Sequence, residues 1–328
     1  MKILIWKVGA LGDVVMTTPL VRQLRAQLPD ARIDYLVGRS FAPVLAGNPH
    51  LDRVQPFDER ILYDARLGRV SDVLALLRGY DAVYVLDKHW VFTWLAWLAR
   101  IPQRVGFRRR ATEGLPLTHA VRYGALRHEV DYYLDLLEVA GLRVDRRDVG
   151  FDVPGGGAIE VPPRATVLIN SGGVNPYENS LVRRMPDVLF GALVATCADR
   201  GPVLFVGAAT EAQDYACFAS ARSTNLCGRT TLAEAVSVLR QAERVITTDT
   251  GLMHLAAAVN PRVTAVFGPT HPDRKCPPGA SWAWGDAERY DPRYELFGAA
   301  PTGQYFGSLA VAEILERPRP SPFGARAV

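Results

Sequence analysis

The sequence predicts an α/β protein made of two doubly wound, Rossmann-like domains. Three observations carry that prediction. Short apolar, β-branched runs alternate with longer helix-like runs, the pattern of parallel sheets covered by helices on both faces. The alternation stops once, in a stretch rich in charge, glycine and proline, and then restarts. And 328 residues exceed the length at which one hydrophobic core stops growing comfortably.

In the first half, "KILIW" (2–6) is an apolar strand running into the loop "KVGALGD". A helical pattern follows from about Asp13 to Leu28. "RIDYLV" (32–37), "RVQPF" (53–57) and "AVYVL" (82–86) read as the next strands. "WVFTWLAWLARI" (90–101) is helix-like and too short to span a bilayer, which takes roughly 20 residues. It reads as a helix buried against the sheet. The alternative is a peripheral contact with the inner face of the cytoplasmic membrane, since Trp and Leu also suit an interface. "HEVDYYLDLLEVAGL" (128–142) is an amphipathic helix closed by Gly141, and residues 143–165 form the linker.

Beyond it, "TVLIN" (166–170), "PVLFV" (202–206), "NLC" (225–227), "RVITT" (244–248) and "RVTAVF" (262–267) are strands. Residues 271–307 show no clean period and read as long loops, followed by a helix at 308–316. The expected domains are 1–150 and 151–328, with an irregular tail from about 271. Ligands of such sheets bind beyond the carboxyl ends of the strands, so a cleft between the domains is the expected site.

Composition narrows the class. With 48% hydrophobic and 22% charged residues the chain is globular, not disordered. The net charge of +4 sits in the first 153 residues, which hold 22 Lys/Arg against 18 Asp/Glu; the remainder holds 16 of each. That hints at an acidic partner for the first half. No nucleic-acid partner is expected. Cys197, Cys217, Cys227 and Cys276 show no CxxC spacing, so reduced thiols and a reducing, cytoplasmic compartment are expected. The start lacks the features of a secretory signal.

The chemistry gathers where strands end. In "TTDTGLMHLAAA" (247–258), Asp249, Thr250 and Gly251 stand where a strand becomes a helix, with His254 in the first turn. Thr250 suits a helix N-cap, and Gly251 admits close approach to the backbone. The helix start offers unpaired N–H groups and a positive dipole end, which suit a phosphate or diphosphate. The alternative is a capped helix with a satisfied histidine. Ser171, Gly172 and Gly173 make a permissive turn after the first strand of this half. Arg183 and Arg184 precede a helix near Pro186 and could grip phosphate. Glu211, after "PVLFV", could bond a sugar hydroxyl or simply stabilise the next helix start. In the first half, Gly9 and Gly12 loosen the first loop, and Asp13 could be a general base or a helix cap. Lys7 could contact phosphate or orient Asp13. Arg104, Arg108, Arg109 and Arg110 could together hold an acidic acceptor. No D-x-D metal motif is persuasive, and neither a metal nor a cofactor is expected.

Together, "KILIWKVGALGDVVMTTPLVRQLR" near the start, "NPHLD" (48–52), "RRMP" (183–186) and "TDTGLMHLAAAVNPRVTAVFGPT" (248–270) resemble the ADP-heptose:lipopolysaccharide heptosyltransferases, glycosyltransferase family 9. The resemblance runs from residue 1 to about 270. It implies a GT-B fold, an acceptor-binding amino-terminal domain and a carboxyl-terminal domain for a nucleotide-diphosphate sugar donor, ADP-heptose. It implies inverting, metal-independent transfer to an acidic glycan or glycolipid of the lipopolysaccharide inner core. Asp13 would be the base. Asp249, Thr250, Gly251 and His254 would contact donor sugar and diphosphate, and Arg183 or Arg184 would neutralise the leaving nucleotide. Where the family often has K-R-W-P, this chain has Arg183-Arg184-Met185-Pro186. Another nucleotide sugar, a small soluble acceptor, a nucleotide-sugar epimerase or a non-catalytic sugar-nucleotide binder are the rival readings.

Overall fold

The computed structural model describes residues 1–63, 70–173, 180–298 and 303–321. They form two compact units, Met1–Val153 and Pro154–Val328.

The first unit is a six-stranded parallel sheet ordered β3-β2-β1-β4-β5-β6. Its strands are β1 (Lys2–Trp6), β2 (Arg32–Gly38), β3 (Arg53–Phe57), β4 (Ala82–Val85), β5 (Gln103–Arg108) and β6 (His119–Arg122). Around them lie α1 (Leu11–Met16), α2 (Thr18–Gln27), α3 (Arg60–Tyr63), α4 (Val70–Leu77), α5 (Trp90–Leu98) and α6 (Glu129–Val139). The central strand β1 is apolar on both faces because both are covered: Ile3, Leu4, Ile5 and Trp6 are fully buried. Leu4 and Trp6 pack with Val83, Val85 and the Phe92, Leu95 and Ala96 face of α5.

Several expectations are corrected here. The helical pattern 13–28 is two helices, broken at Thr17, whose hydroxyl bonds the Val14 carbonyl (2.7 Å) while Pro19 opens α2. β5 and β6 went unread because arginines stand near both ends of "QRVGFR" and a glycine interrupts it. At Gly106 an added Cβ would stand 3.1 Å from a Leu117 methyl, so that side chain would have to shift. α5 is not buried all round, since its outer face is exposed.

The second unit is a seven-stranded sheet ordered β13-β12-β11-β10-β7-β8-β9. Its strands are β7 (Thr166–Ile169), β8 (Val203–Phe205), β9 (Ser223–Asn225), β10 (Arg244–Thr248), β11 (Val263–Phe267), β12 (Ser281–Trp284) and β13 (Arg319–Pro320). All pairings are parallel except β12 with β13. The helices are α7 (Asp187–Arg200), α8 (Leu232–Gln241), α9 (Gly251–Val259), α10 (Pro272–Lys275), α11 (Pro292–Phe297) and α12 (Val311–Glu316). The strand expected over "NLC" lies two residues earlier. The tail from 271 is not merely loops: β12 pairs with β11, Ala265 opposite Trp282, and extends the sheet.

Residues 143–159 lack regular structure but are laced down. Arg22 of α2 binds Asp148 (2.7 Å) and Asp152 (2.6 Å), and the Gln23 amide donates to the Asp145 and Asp148 carbonyls. Further along, Gly157 donates to the Ala233 carbonyl and accepts from Ser237 (2.6 Å).

Both sheets share one winding. In each, the strand order reverses beside the first strand of the unit, between β1 and β4 and between β7 and β10. Those are the topological switch points, where doubly wound sheets bind ligands at strand carboxyl ends.

Candidate active site

At the first switch point, β1 runs directly into Lys7 and β4 into Asp87. The buried Lys7 ammonium donates to Asp87 Oδ1 (2.7 Å) and lies 3.2 Å from Asp13 Oδ2. The other oxygen of Asp87 accepts the Val8 N–H (2.7 Å), fixing the loop that follows β1. Asp13 stands in the first turn of α1, where Ala10, not Asp13, holds the N-cap position. Its side chain is 25% exposed, so a substrate hydroxyl can reach it. One cation is thus shared by two carboxylates, one inward and structural, the other reachable. Gly12 is buried inside α1. Asp87 was missed from the sequence, although it is the first charged residue after an apolar strand.

The four arginines do not form one group. Arg104 lies at the amino end of β5, away from the carboxyl edge that carries Lys7 and Asp87. Its guanidinium is spent on the carbonyls of Ile101, Pro102 and Pro116, which corrects its expected part in an acceptor site. Arg108 ends β5 at the carboxyl edge. Arg109 and Arg110 follow it, their backbone N–H groups bonded to the Glu113 carboxylate (2.7 and 3.2 Å).

At the second switch point, β10 runs into Asp249 and β7 into Asn170. The Asn170 side chain donates to the Met185 carbonyl (3.0 Å) and accepts the Met185 N–H (2.7 Å), which fastens "RRMP" beside β7. Met185 itself is buried in the core of this unit. Ser171 is tied to Thr248: its N–H donates to the Thr248 hydroxyl (3.0 Å), which donates back to the Ser171 carbonyl (2.5 Å). Gly172 is buried beside it, and Gly173 takes a positive φ of 81°.

Thr250 holds the N-cap position of α9, but its hydroxyl makes no capping bond, against expectation. Gly251 is the first residue of α9, and His254 is buried in its first turn. Arg183 brings its Nη1 to 3.9 Å from Asp249 Oδ2. Tyr294 of α11 fixes this guanidinium: Arg183 Nε donates to its hydroxyl (2.9 Å), and the guanidinium carbon lies 5.5 Å from the ring centroid. Arg184 points elsewhere, to Asp214 (2.8 Å). Glu211 Oε2 accepts the Ala208 N–H (2.8 Å) and so closes its own turn.

Three oxygens at these strand ends are buried without a hydrogen bond among the described residues: Asp249 Oδ2, Thr250 Oγ1 and Thr270 Oγ1. Buried polar atoms are nearly always satisfied, and three unsatisfied oxygens on neighbouring loops would suit a polar ligand. Behind them, Arg274 Nε and Glu295 Oε1 stand 3.6 Å apart, both buried. Burial pushes the Glu295 carboxyl up, against the pull of Arg274 and Lys275. Tyr294 and Glu295 were also missed.

Known proteins resemble this chain over most of its length. Residues 175–285 match glycosyltransferase family 9 (heptosyltransferase). The chain is 26% identical over 306 residues to lipopolysaccharide heptosyltransferase 2 of Escherichia coli (strain K12), covering 83% of this chain and 84% of that one. Among solved structures, E. coli ADP-heptose lps heptosyltransferase II superposes with a TM-score of 0.71 at 23% identity, covering 92% of this chain and 95% of that one. E. coli heptosyltransferase WaaC with ADP-2-deoxy-2-fluoro heptose superposes with a TM-score of 0.66 at 21% identity, covering 87% and 93%. The fold is therefore GT-B, and the sequence likeness is to glycosyltransferases. More narrowly, it is similar to the ADP-heptose:lipopolysaccharide heptosyltransferases of glycosyltransferase family 9.

Proposed function

We propose that this chain moves a heptose, with inversion and without a metal, from ADP-heptose to a hydroxyl of an acidic lipopolysaccharide inner-core acceptor. The observation that carries the reading is the pairing of clusters at equivalent strand ends: Lys7–Asp13–Asp87 in one unit, Arg183–Asp249–Thr250 in the other. Asp13 accepts the acceptor's proton as its oxygen attacks the anomeric carbon. Lys7, 3.2 Å away, holds the Asp13 carboxylate in place. The bond from that carbon to the diphosphate oxygen breaks, and ADP leaves with the bonding pair. The N–H groups opening α9 and the Arg183 guanidinium meet the developing charge, the role a metal plays elsewhere. Asp249 and the Thr250 hydroxyl bond sugar hydroxyls, and His254 supports the diphosphate. Between the two arginines the Asp214 pairing of Arg184 favours Arg183 for the donor. The relatives' names supply the heptose and the lipopolysaccharide.

The test is thermal stabilisation by ADP, UDP, GDP and CDP at matched concentrations, with turnover measured beside it. ADP should raise Tm in the wild type and in Asp13→Ala, and fail to do so in Asp249→Ala. Asp13→Ala should lose on the order of 10²–10⁴ in rate. A shift with a different nucleotide alone would replace the sugar. Full turnover in Asp13→Ala would remove the proposed base.

A further inference from the structure

We propose that the outer face of α5, with the arginine-rich turn beside it, docks the first unit onto an anionic lipid bilayer. α5 contains no charged residue. Phe92, Leu95 and Ala96 face the core, yet Trp90, Trp94, Trp97 and Leu98 are 48, 36, 48 and 51% exposed. Their spacing puts them on one side of the helix. A surface helix ordinarily turns polar residues to water; this one is apolar on both faces. Trp94 and Trp97 meet edge to face at 5.6 Å, so the stripe is continuous. The short 3-10 turn Ala111–Gly114 packs beside α5, and Leu115 at its end is 73% exposed.

Charge identifies the partner. Residues 88–110 hold six Lys/Arg and no Asp/Glu, while the rest of the first 153 residues holds 16 Lys/Arg against 18 Asp/Glu. Of the six, Lys88 pairs with Glu129 (2.5 Å) and Arg104 is turned onto backbone carbonyls, while Arg100, Arg109 and Arg110 are the cations near the two ends of α5. Arg100 is exposed at the carboxyl end of α5, its N–H on the Trp97 carbonyl. Arg109 stands near the other end: after burial, its charge is the next influence lowering the pKa of the N-cap residue His89. Arg110 is exposed beside it. The nearest acid to Arg109 and Arg110 along the chain, Glu113, accepts their backbone N–H groups with one oxygen and lies 3.7 Å from the Arg109 guanidinium with the other, so Arg100 and Arg110 are the exposed cations of this face. Indoles settle at the boundary between headgroups and acyl chains, and arginines pair with lipid phosphates. A second copy of this face would set arginine against arginine, which disfavours self-association through it. α5 begins three residues after Asp87, so docking would bring the Lys7–Asp13 edge of the sheet toward the lipid.

The test is co-sedimentation of the full chain with vesicles of phosphatidylcholine alone and of phosphatidylcholine mixed equally with phosphatidylglycerol. Partition into the mixed vesicles should exceed that into phosphatidylcholine and fall with added salt. Arg100→Ser and Arg110→Ser should each weaken it about fivefold. Trp94→Ser with Trp97→Ser should weaken it about tenfold or more while leaving thermal melting unchanged, because both indoles are exposed. Asp13→Ala and Asp249→Ala should partition like the wild type, so loss of transfer and loss of docking read separately. No preference for mixed vesicles, or partition indifferent to the tryptophan pair, would overturn the proposal. So would a wild-type dimer in sedimentation equilibrium that the same pair converts to monomer.

Discussion

Asp52, the last residue of "NPHLD", closes a corner of the first sheet. One carboxylate oxygen accepts the Ile33 N–H (2.7 Å) and the Arg25 guanidinium (2.5 Å). The Ile33 bond, opposed by burial and aided by Arg25, holds the carboxyl below its ordinary value of 3.8. A depressed carboxylate contributes stability above its unfolded value and loses it as pH falls through the folded one. Asp52→Asn should therefore cost about 1 kcal/mol at neutral pH, a modest figure for a half-exposed group. In melting curves the gap between wild type and variant should hold down to about pH 5 and close below it. A gap unchanged at low pH would show that the carboxylate's charge is irrelevant. At this scale the candidate site was legible wherever local chemistry announced it. Asp249 was found because Thr250, Gly251 and a helix follow it. Asp87 occupies the equivalent place after β4, but the next residues, Lys88 and His89, carry no such signal. What makes it matter is Lys7, 80 residues away, and that contact comes from strand pairing.

α11 gives the element scale its lesson. "DPRYELFG" carries a full set of helix signals: Asp291 accepts the Arg293 N–H (2.9 Å), Pro292 opens the helix, and Gly298 closes it at a φ of 69°. The segment went unread because six residues are too few to show a period of 3.6. This short helix presents Tyr294 to Arg183. Tyr294→Phe keeps the ring under the guanidinium and removes the hydrogen bond. A bond to a charged group is worth about 1.5–3 kcal/mol, so melting should fall by several degrees, and affinity for ADP should fall too because the guanidinium must then be aimed on binding. Calorimetric titration with ADP checks it; unchanged affinity would detach α11 from the donor. β5 failed to be read for the opposite reason, since its arginines mask an apolar centre. β1 was read correctly because burial on both faces leaves an unbroken apolar run from Ile3 to Trp6.

For the molecule as a whole, two wound sheets were legible from alternation alone, but the strand orders were not. Placing β4 beside β1 and β10 beside β7 is a long-range choice that creates both switch points, and no local pattern encodes it. All four cysteines lie in the second unit. Burial pushes the thiols of Cys197, Cys227 and Cys276 up to about 11, 12 and 12, while Cys217 is exposed. A thiol reagent at neutral pH should label Cys217 at once and the others only as the unit opens. ADP should slow that second phase, because it binds the closed form; rapid labelling of all four would contradict the packing described. The first unit has its own reporter. Of six tryptophans in the chain, three stand together on the open side of α5, while Trp6 is sealed in the core. The protein's ultraviolet emission is thus weighted toward one small patch, and an aqueous quencher such as iodide would read that patch before anything else, with no dye attached.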